Sequence, residues 1–248
     1  MTISLGRALV PLPSQGRTFS SRRMVRLADM DALGRVRLDA LARYLQDTAI
    51  EDVQETGWGL PDHLWFVRSI RVDVLVPPLA DRELELVTWC SGLAAVAAGR
   101  RWSVTGDAGG RIEVDSVWIH LGPDGRPARI VDFGVYAEAT DGRTASTKLT
   151  LAEPDSGDET TSWPLRSSDV DLHGHVNNAV HWQAVEHVLL DGPDPTLPLR
   201  ARLDYREPID LGDDVRLDVS RGGGEARIAL RVDGQARAVA SVARIEPQ

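Results

Sequence analysis

The sequence predicts an α+β protein built from two tandem copies of one unit, a helix followed by a run of antiparallel strands. Three observations predict it: an ungapped internal repeat, a helical apolar period directly after each repeat motif, and strand-like segments after each helix. Residues 25–45 read VRLADMDALGRVRLDALARYL, and residues 165–185 read LRSSDVDLHGHVNNAVHWQAV. Laid over each other without a gap, Arg26 matches Arg166, Asp29 matches Asp169, Asp31 matches Asp171, Gly34 matches Gly174 and Val36 matches Val176.

After Gly34, the residues Leu38, Leu41, Leu45, Ala49 and Val53 recur at helical spacing until Gly57, which suits a helix stop. After Gly174, Val176, Val180, Ala184 and Val188 do the same until Gly192-Pro193. Strands are then expected over 65–76, 83–89, 100–105 and 111–121 in the first copy, with Asp107-Ala-Gly-Gly and Pro123-Asp-Gly as turns. The second copy gives 199–206, 215–220, 225–232 and 235–245, joined by Arg221-Gly-Gly-Gly and Asp233-Gly. Arg71-Val-Asp-Val and Arg202-Leu-Asp-Tyr occupy equivalent places. The expected organisation is a first domain over 1–140, a polar linker over 141–163 that ends in EPDSGDETTSWP, and a second domain over 164–248.

Composition bounds the function. The 248 residues are 42% apolar and 26% charged, a globular balance, with no apolar run long enough to span a membrane. The N-terminus lacks the basic start, apolar run and small-residue cleavage site of a secretory signal, and the single Cys90 has no disulfide partner. Both points predict a cytoplasmic protein. The formal charge of −9 opposes general nucleic-acid binding, which needs a basic surface to displace counterions. Two basic groups, Arg17, Arg22, Arg23 and Arg26, then Arg100 and Arg101, are solvated surface charge or a local contact for an acidic partner.

The stretch SDVDLHGHVNNAVHW, Ser168 to Trp182, carries the chemistry. Its DVDLHG imitates the start of an EF-hand loop, but the fifth position is His173 and the twelfth, where calcium needs a bidentate glutamate, is Val180. A transition metal on Asp171, His173 and His175 is chemically conceivable, yet alternate residues of a tight turn seldom converge on one ion and no second ligand cluster is apparent. We expect no metal and no cofactor. A structural reading has Asp169 and Asp171 capping turns, Gly174 supplying a special backbone conformation, and Asn177 and Asn178 starting the helix. What the copies do not share is the informative part. His175 is Arg35 in the first copy, His173 is Leu33, and Asn177-Asn178 are Arg37-Leu38, so chemistry is expected in the second half only. His181 reads as an ordinary helix residue.

The string R-x-S-D-x-D-x-x-G-H-V-N-N, Arg166 to Asn178, resembles the signature of the acyl-acyl carrier protein (acyl-ACP) thioesterases, which end fatty-acid synthesis by hydrolysing an acyl thioester. The resemblance runs from about Met24 to Ile245 and is weaker at Tyr205-Arg206-Glu207. It implies two tandem hot-dog domains, each an antiparallel sheet around a long helix, and catalytic roles for Asp171, His175 and Glu207. Two departures stand out: His173 replaces a catalytic asparagine of the plant enzymes, and Pro208 replaces their cysteine, which excludes a cysteine nucleophile at this place. The mechanism expected is hydrolytic. Asp171 or Glu207 acts as general base on water or Asp171 attacks directly, His175 orients the water or protonates the leaving thiolate, and amides around Gly174 and Val176 at the helix start hold the oxyanion. The degenerate first half is the expected place for the acyl chain. The substrate carrier is expected to be acyl carrier protein or coenzyme A, and the chain a monomer or homodimer. Rival readings are an acyl-coenzyme A thioesterase of the same fold and a non-catalytic acyl-binding protein.

Overall fold

A computed structural model describes residues 8–58, 64–79, 81–154, 159–191 and 198–245. The first half contains β1 (Thr18–Met24), α1 (Leu38–Thr56), β2 (Leu64–Val76), β3 (Glu83–Ala94), β4 (Ala97–Gly106) and β5 (Arg111–Leu121). The second repeats that order as β6 (Glu159–Ser162), α2 (Asn178–Leu190), β7 (Leu199–Tyr205), β8 (Arg216–Gly222), β9 (Glu225–Val232) and β10 (Gln235–Arg244). The strands of the described residues join one antiparallel sheet of ten, ordered β1-β3-β4-β5-β2-β7-β10-β9-β8-β6. Renumbered by copy, that order reads the same from either end.

The seam between the halves is the pairing of β2 with β7, in which Arg71 lies directly opposite Arg202. These are the equivalent residues of the two copies, so the approximate two-fold axis relating the halves passes between them. Charge fixes this register. Arg200 lays Nε and Nη2 on the two oxygens of Asp73, each at 2.7 Å, in the fork-on-carboxylate geometry that makes such pairs strong. A slip by one residue would separate them and turn the slipped strand's apolar face outward.

The apolar period of each helix becomes buried packing. Leu38, Leu41, Tyr44 and Leu45 of α1, with Val180, Trp182, Val185 and Val188 of α2, share one core with sheet residues such as Val67, Leu84, Leu203 and Ile228. Gly57 ends α1 in a left-handed conformation, as its position in the sequence predicts. The expected stop of α2 at Gly192-Pro193 lies outside the described residues. Two strands depart from expectation. β1 and β6 form the two outer edges of the sheet, and β6 occupies 159–162, inside the stretch read as linker. Its four residues are all exposed, so it pairs with β8 through backbone and polar side chains, Thr160 with Asp218 and Glu159 with Arg221, and carries no apolar alternation that a sequence could display.

Candidate active site

Both copies of the repeat fold into the same turn. In each, a short 3-10 turn ends at an aspartate, Asp29 or Asp169, whose Oδ2 accepts the N–H of Arg26 or Arg166 at 3.0 and 2.8 Å. The carbonyl of that aspartate accepts the N–H of Arg37 or Asn177 at the helix entrance. The second aspartate closes a tighter loop. The carbonyls of Asp31 and Asp171 accept from Gly34 and Gly174 at 3.0 Å, and their Oδ1 atoms accept the N–H of Leu33 and His173 at 2.9 Å. Gly34 and Gly174 have φ of +78° and +86°, the left-handed region that only glycine enters without strain. Added Cβ atoms would meet nothing within 4 Å at either glycine, so backbone conformation and not crowding requires them. Asn177 caps α2, its Oδ1 accepting the N–H of Ala179 at 2.9 Å.

On this shared scaffold the side chains diverge. His175 is half-exposed, at 45%, and its Nδ1 lies 2.7 Å from Oδ1 of Asp210. A carboxylate only accepts, so Nδ1 carries the hydrogen and Nε2 keeps its lone pair. The backbones of the two residues are bridged as well, and the neighbouring Val176 donates to Ile209 at 2.8 Å. In the first copy Arg35 is bridged to Leu79 in the same way, and Val36 donates to Pro78. Arg35 is buried, at 1% exposure, with Nε 3.0 Å from Oδ2 of Asp31 and Nη2 on Glu186 of α2. Glu186 also accepts the N–H of Leu38, the first residue of α1, at 2.9 Å. Burial pushes the Glu186 carboxyl above its usual range, against the pull of Arg35. The place that holds an imidazole in one half is thus filled by a buried arginine between two carboxylates in the other.

Glu207 lies elsewhere. It is half-exposed and ion-paired with Arg237 of β10, so the carboxylate on His175 is Asp210, a residue the sequence reading did not name. The expected oxyanion donors also need correction. The N–H groups of Gly174 and Val176 are committed to the carbonyls of Asp171 and Ile209. Of the amides from Gly174 to Asn178, those of His175 and Asn178 have no acceptor among the described residues, Asn178 being the first residue of α2. Oδ2 of Asp171 likewise has no partner among them, whereas the matching oxygen of Asp31 is met by Arg35. A guanidinium thus meets this oxygen in the first copy, and no side chain among the described residues meets it in the second. Tyr205 anchors this corner by donating to the carbonyl of Asn178 at 3.0 Å, and Arg68 of β2 reaches across to the carbonyls of Tyr205 and Arg206.

A cavity of about 320 Å³ opens beside the turn. His173 forms part of its wall, and the remaining lining comes from the first half, including Gln46, Trp58, Trp65, Arg100 and Tyr136. Cys90 also lines it, as a buried thiol that burial holds above its usual range. Of the arginines read as solvated charge or as a contact for an acidic partner, all but Arg26 are in ion pairs: Arg17 and Arg100 with Asp52, Arg22 with Glu83, Arg23 with Glu51, and Arg101 with Glu113. No group of metal-ligating side chains occurs among the described residues, and no helix among them is long and apolar enough to cross a membrane. His181 is buried in α2, with Nδ1 3.2 Å from the carbonyl of Asn177 and its ring edge-on to Tyr205.

Two units of a long helix and an antiparallel sheet, fused in one chain with the sheet continuous across them, make this a double hot-dog protein. Comparison with known proteins narrows the class. Residues 16–138 match the acyl-ACP thioesterase N-terminal domain and residues 152–243 the acyl-ACP thioesterase C-terminal domain. The chain belongs to the acyl-ACP thioesterase family and is by that membership a thioester hydrolase. It is 30% identical over 241 residues, 96% of each chain, to an uncharacterised protein of Mycobacterium tuberculosis. Its fold is similar to that of an acyl-ACP thioesterase from Bacteroides thetaiotaomicron, with a TM-score of 0.75, 16% identity and coverage of 91% and 97% of the two chains. It is also similar to the 12:0-ACP thioesterase from Umbellularia californica, with a TM-score of 0.72, 16% identity and coverage of 91% and 96%.

Proposed function

We propose that the chain hydrolyses fatty acyl-ACP thioesters at the turn before α2, with the acyl chain lodged in the cavity of the first half. The observation that carries this reading is the His175–Asp210 pair at 2.7 Å beside the helix start, with His173 of the same turn lining the mouth of an apolar cavity. Asp210 accepts from Nδ1 and presents Nε2 as base. A water held between Nε2 and Oδ2 of Asp171 loses its proton to His175 and attacks the thioester carbonyl. The amides of His175 and Asn178, at the positive end of the α2 dipole, receive the developing oxyanion. Collapse of that intermediate expels the carrier thiolate, which takes the proton back from His175. Glu207 stays outside these steps. A cytoplasmic location and a place at the end of fatty-acid synthesis accompany this reading.

The test is release of free thiol from a panel of acyl carrier protein and coenzyme A thioesters by the native protein, Asp171→Asn and His175→Ala. A positioned acid/base group is worth about 10² to 10⁴ in rate, and losses on that scale are expected in His175→Ala. Hydrolysis indifferent to both substitutions sinks the mechanism, and a preference for coenzyme A thioesters replaces the carrier.

A further inference from the structure

The cavity holds one group that an acyl pocket does not need. Arg100 lines it, and only Nη1 of its guanidinium is bonded among the described residues: 2.7 Å to Oδ2 of Asp52 and 3.4 Å to Oγ1 of Thr88. Nε and Nη2 have no acceptor there. The rings of Trp102 and Tyr136 lie against the guanidinium, at 6.0 and 5.7 Å from centroid to Cζ, and hold it in one orientation. Asp52 is not its partner alone. The other oxygen of Asp52 accepts Nε of Arg17 at 2.7 Å, so a single carboxylate, 2% exposed, serves two cations. Glu55, which also meets Arg17, sits in solvent and is screened. The buried cluster keeps a positive excess facing the cavity.

The cluster lies away from the catalytic turn. Glu186, eight residues into α2, meets the first amide of α1, and the matching residue of the other copy is Gln46, eight residues into α1. The two-fold relation puts Gln46 at the start of α2, beside the turn that contributes His173. Asp52, which holds Arg100, is six residues further along α1, about 9 Å at 1.5 Å per residue. An alkyl chain reaching that depth strips water from Nε–H and Nη2–H and returns no hydrogen bond, which penalises it. A chain that brings an oxygen there satisfies them.

Resting on the hydrolase reading above, we infer that Arg100 selects acyl groups bearing an oxygen, as hydroxyl or carboxylate, at the end remote from the thioester. The experiment compares kcat/KM for octanoyl, ω-hydroxyoctanoyl and suberyl thioesters of acyl carrier protein in the native chain, Arg100→Met and Arg100→Lys. In Arg100→Met the Asp52 carboxylate keeps Arg17, so the fold retains its buried ion pair. The native enzyme favours one or both oxygenated chains by about tenfold, the worth of a hydrogen bond to a charged group. Arg100→Met abolishes the preference by losing the oxygenated substrates and gaining the plain one, and Arg100→Lys restores part of it. The hydroxyl and carboxylate arms identify which oxygen is read. A native preference for the plain chain, or a ratio unmoved in Arg100→Met, overturns the inference. Binding of free octanoic and ω-hydroxyoctanoic acids, followed by fluorescence of Trp58 and Trp65 in the cavity wall, reads the same preference without turnover. If no thioester is hydrolysed, the hydrolase reading fails while the binding ratio still decides the role of Arg100.

Discussion

The two halves of this molecule share most of the hydrogen bonds of one turn and put opposite chemistry on it, the amide of Arg35 meeting Asp31 while that of His175 meets no acceptor among the described residues. In the first, Asp31, Arg35 and Glu186 form a buried cluster that fills the space beside the turn. In the second, Asp171 keeps an open oxygen, His175 points to an exposed Asp210, and the counterpart of Glu186 is Gln46, whose amide lines the cavity with no bond among the described residues. Duplication supplies two scaffolds. The half that binds its own charges is closed as a site, and the half that leaves them unmet is available for a substrate.

That contrast can be broken from either side. Replacing Arg35 by Met strands two buried carboxylates, and removing one partner of a buried charge cluster costs about 3–5 kcal/mol. Guanidinium chloride unfolding should show a loss of that size, part of which Glu186→Gln recovers by removing one stranded charge. The next effect concerns the helices themselves, since His181 of α2 stands where α1 has Leu41. Burial holds His181 down to about 4, against an ordinary value of 6.5. The folded pKa is the lower one, so the unfolded chain binds the extra proton. Stability from this residue is complete above pH 6.5 and is lost as the pH falls toward 4, by about 3 kcal/mol at about 1.4 kcal/mol per unit. Unfolding midpoints followed from neutral pH downward should fall less steeply in His181→Leu than in the native chain. The smallest effect separates two carboxylates near the site. Asp210→Asn should lower kcat about ten- to a hundredfold, the value of a charged hydrogen bond, whereas Glu207→Gln breaks an exposed ion pair worth about 0–1 kcal/mol and should change kcat by less than about fivefold. Steady-state hydrolysis by the two variants checks this, and the reverse order would return Glu207 to the mechanism.

Much of this was legible in the residues. The Arg26/Arg166 to Val36/Val176 alignment gives the repeat, and apolar spacing gives both helices, because burial of one helix face imposes that spacing. β1 and β6 were hidden because edge strands pair through backbone and show water much of their surface. Asp210 was hidden because it reaches His175 by a bridge across 35 residues of sequence, which no local pattern encodes. A signal was nevertheless present. Extending the alignment of Arg71 with Arg202 by eight residues sets Leu79 against Asp210, the two positions that bridge to Arg35 and His175. The amides of Gly174 and Val176 differ from expectation for another reason: the turn that positions the helix start uses them itself, and the sequence does not say which donors remain.

The β2–β7 seam also governs how the protein behaves when scarce. The candidate site takes His173, His175 and Asp210 from one half and its cavity wall from the other, so it exists only while the halves are docked. Two separate chains would face an association equilibrium and lose the site on dilution. A peptide tether holds the partner at an effective concentration of about millimolar or more, whatever the number of molecules in the cell. Site assembly therefore follows first-order kinetics, and a single copy is as complete as a thousandth.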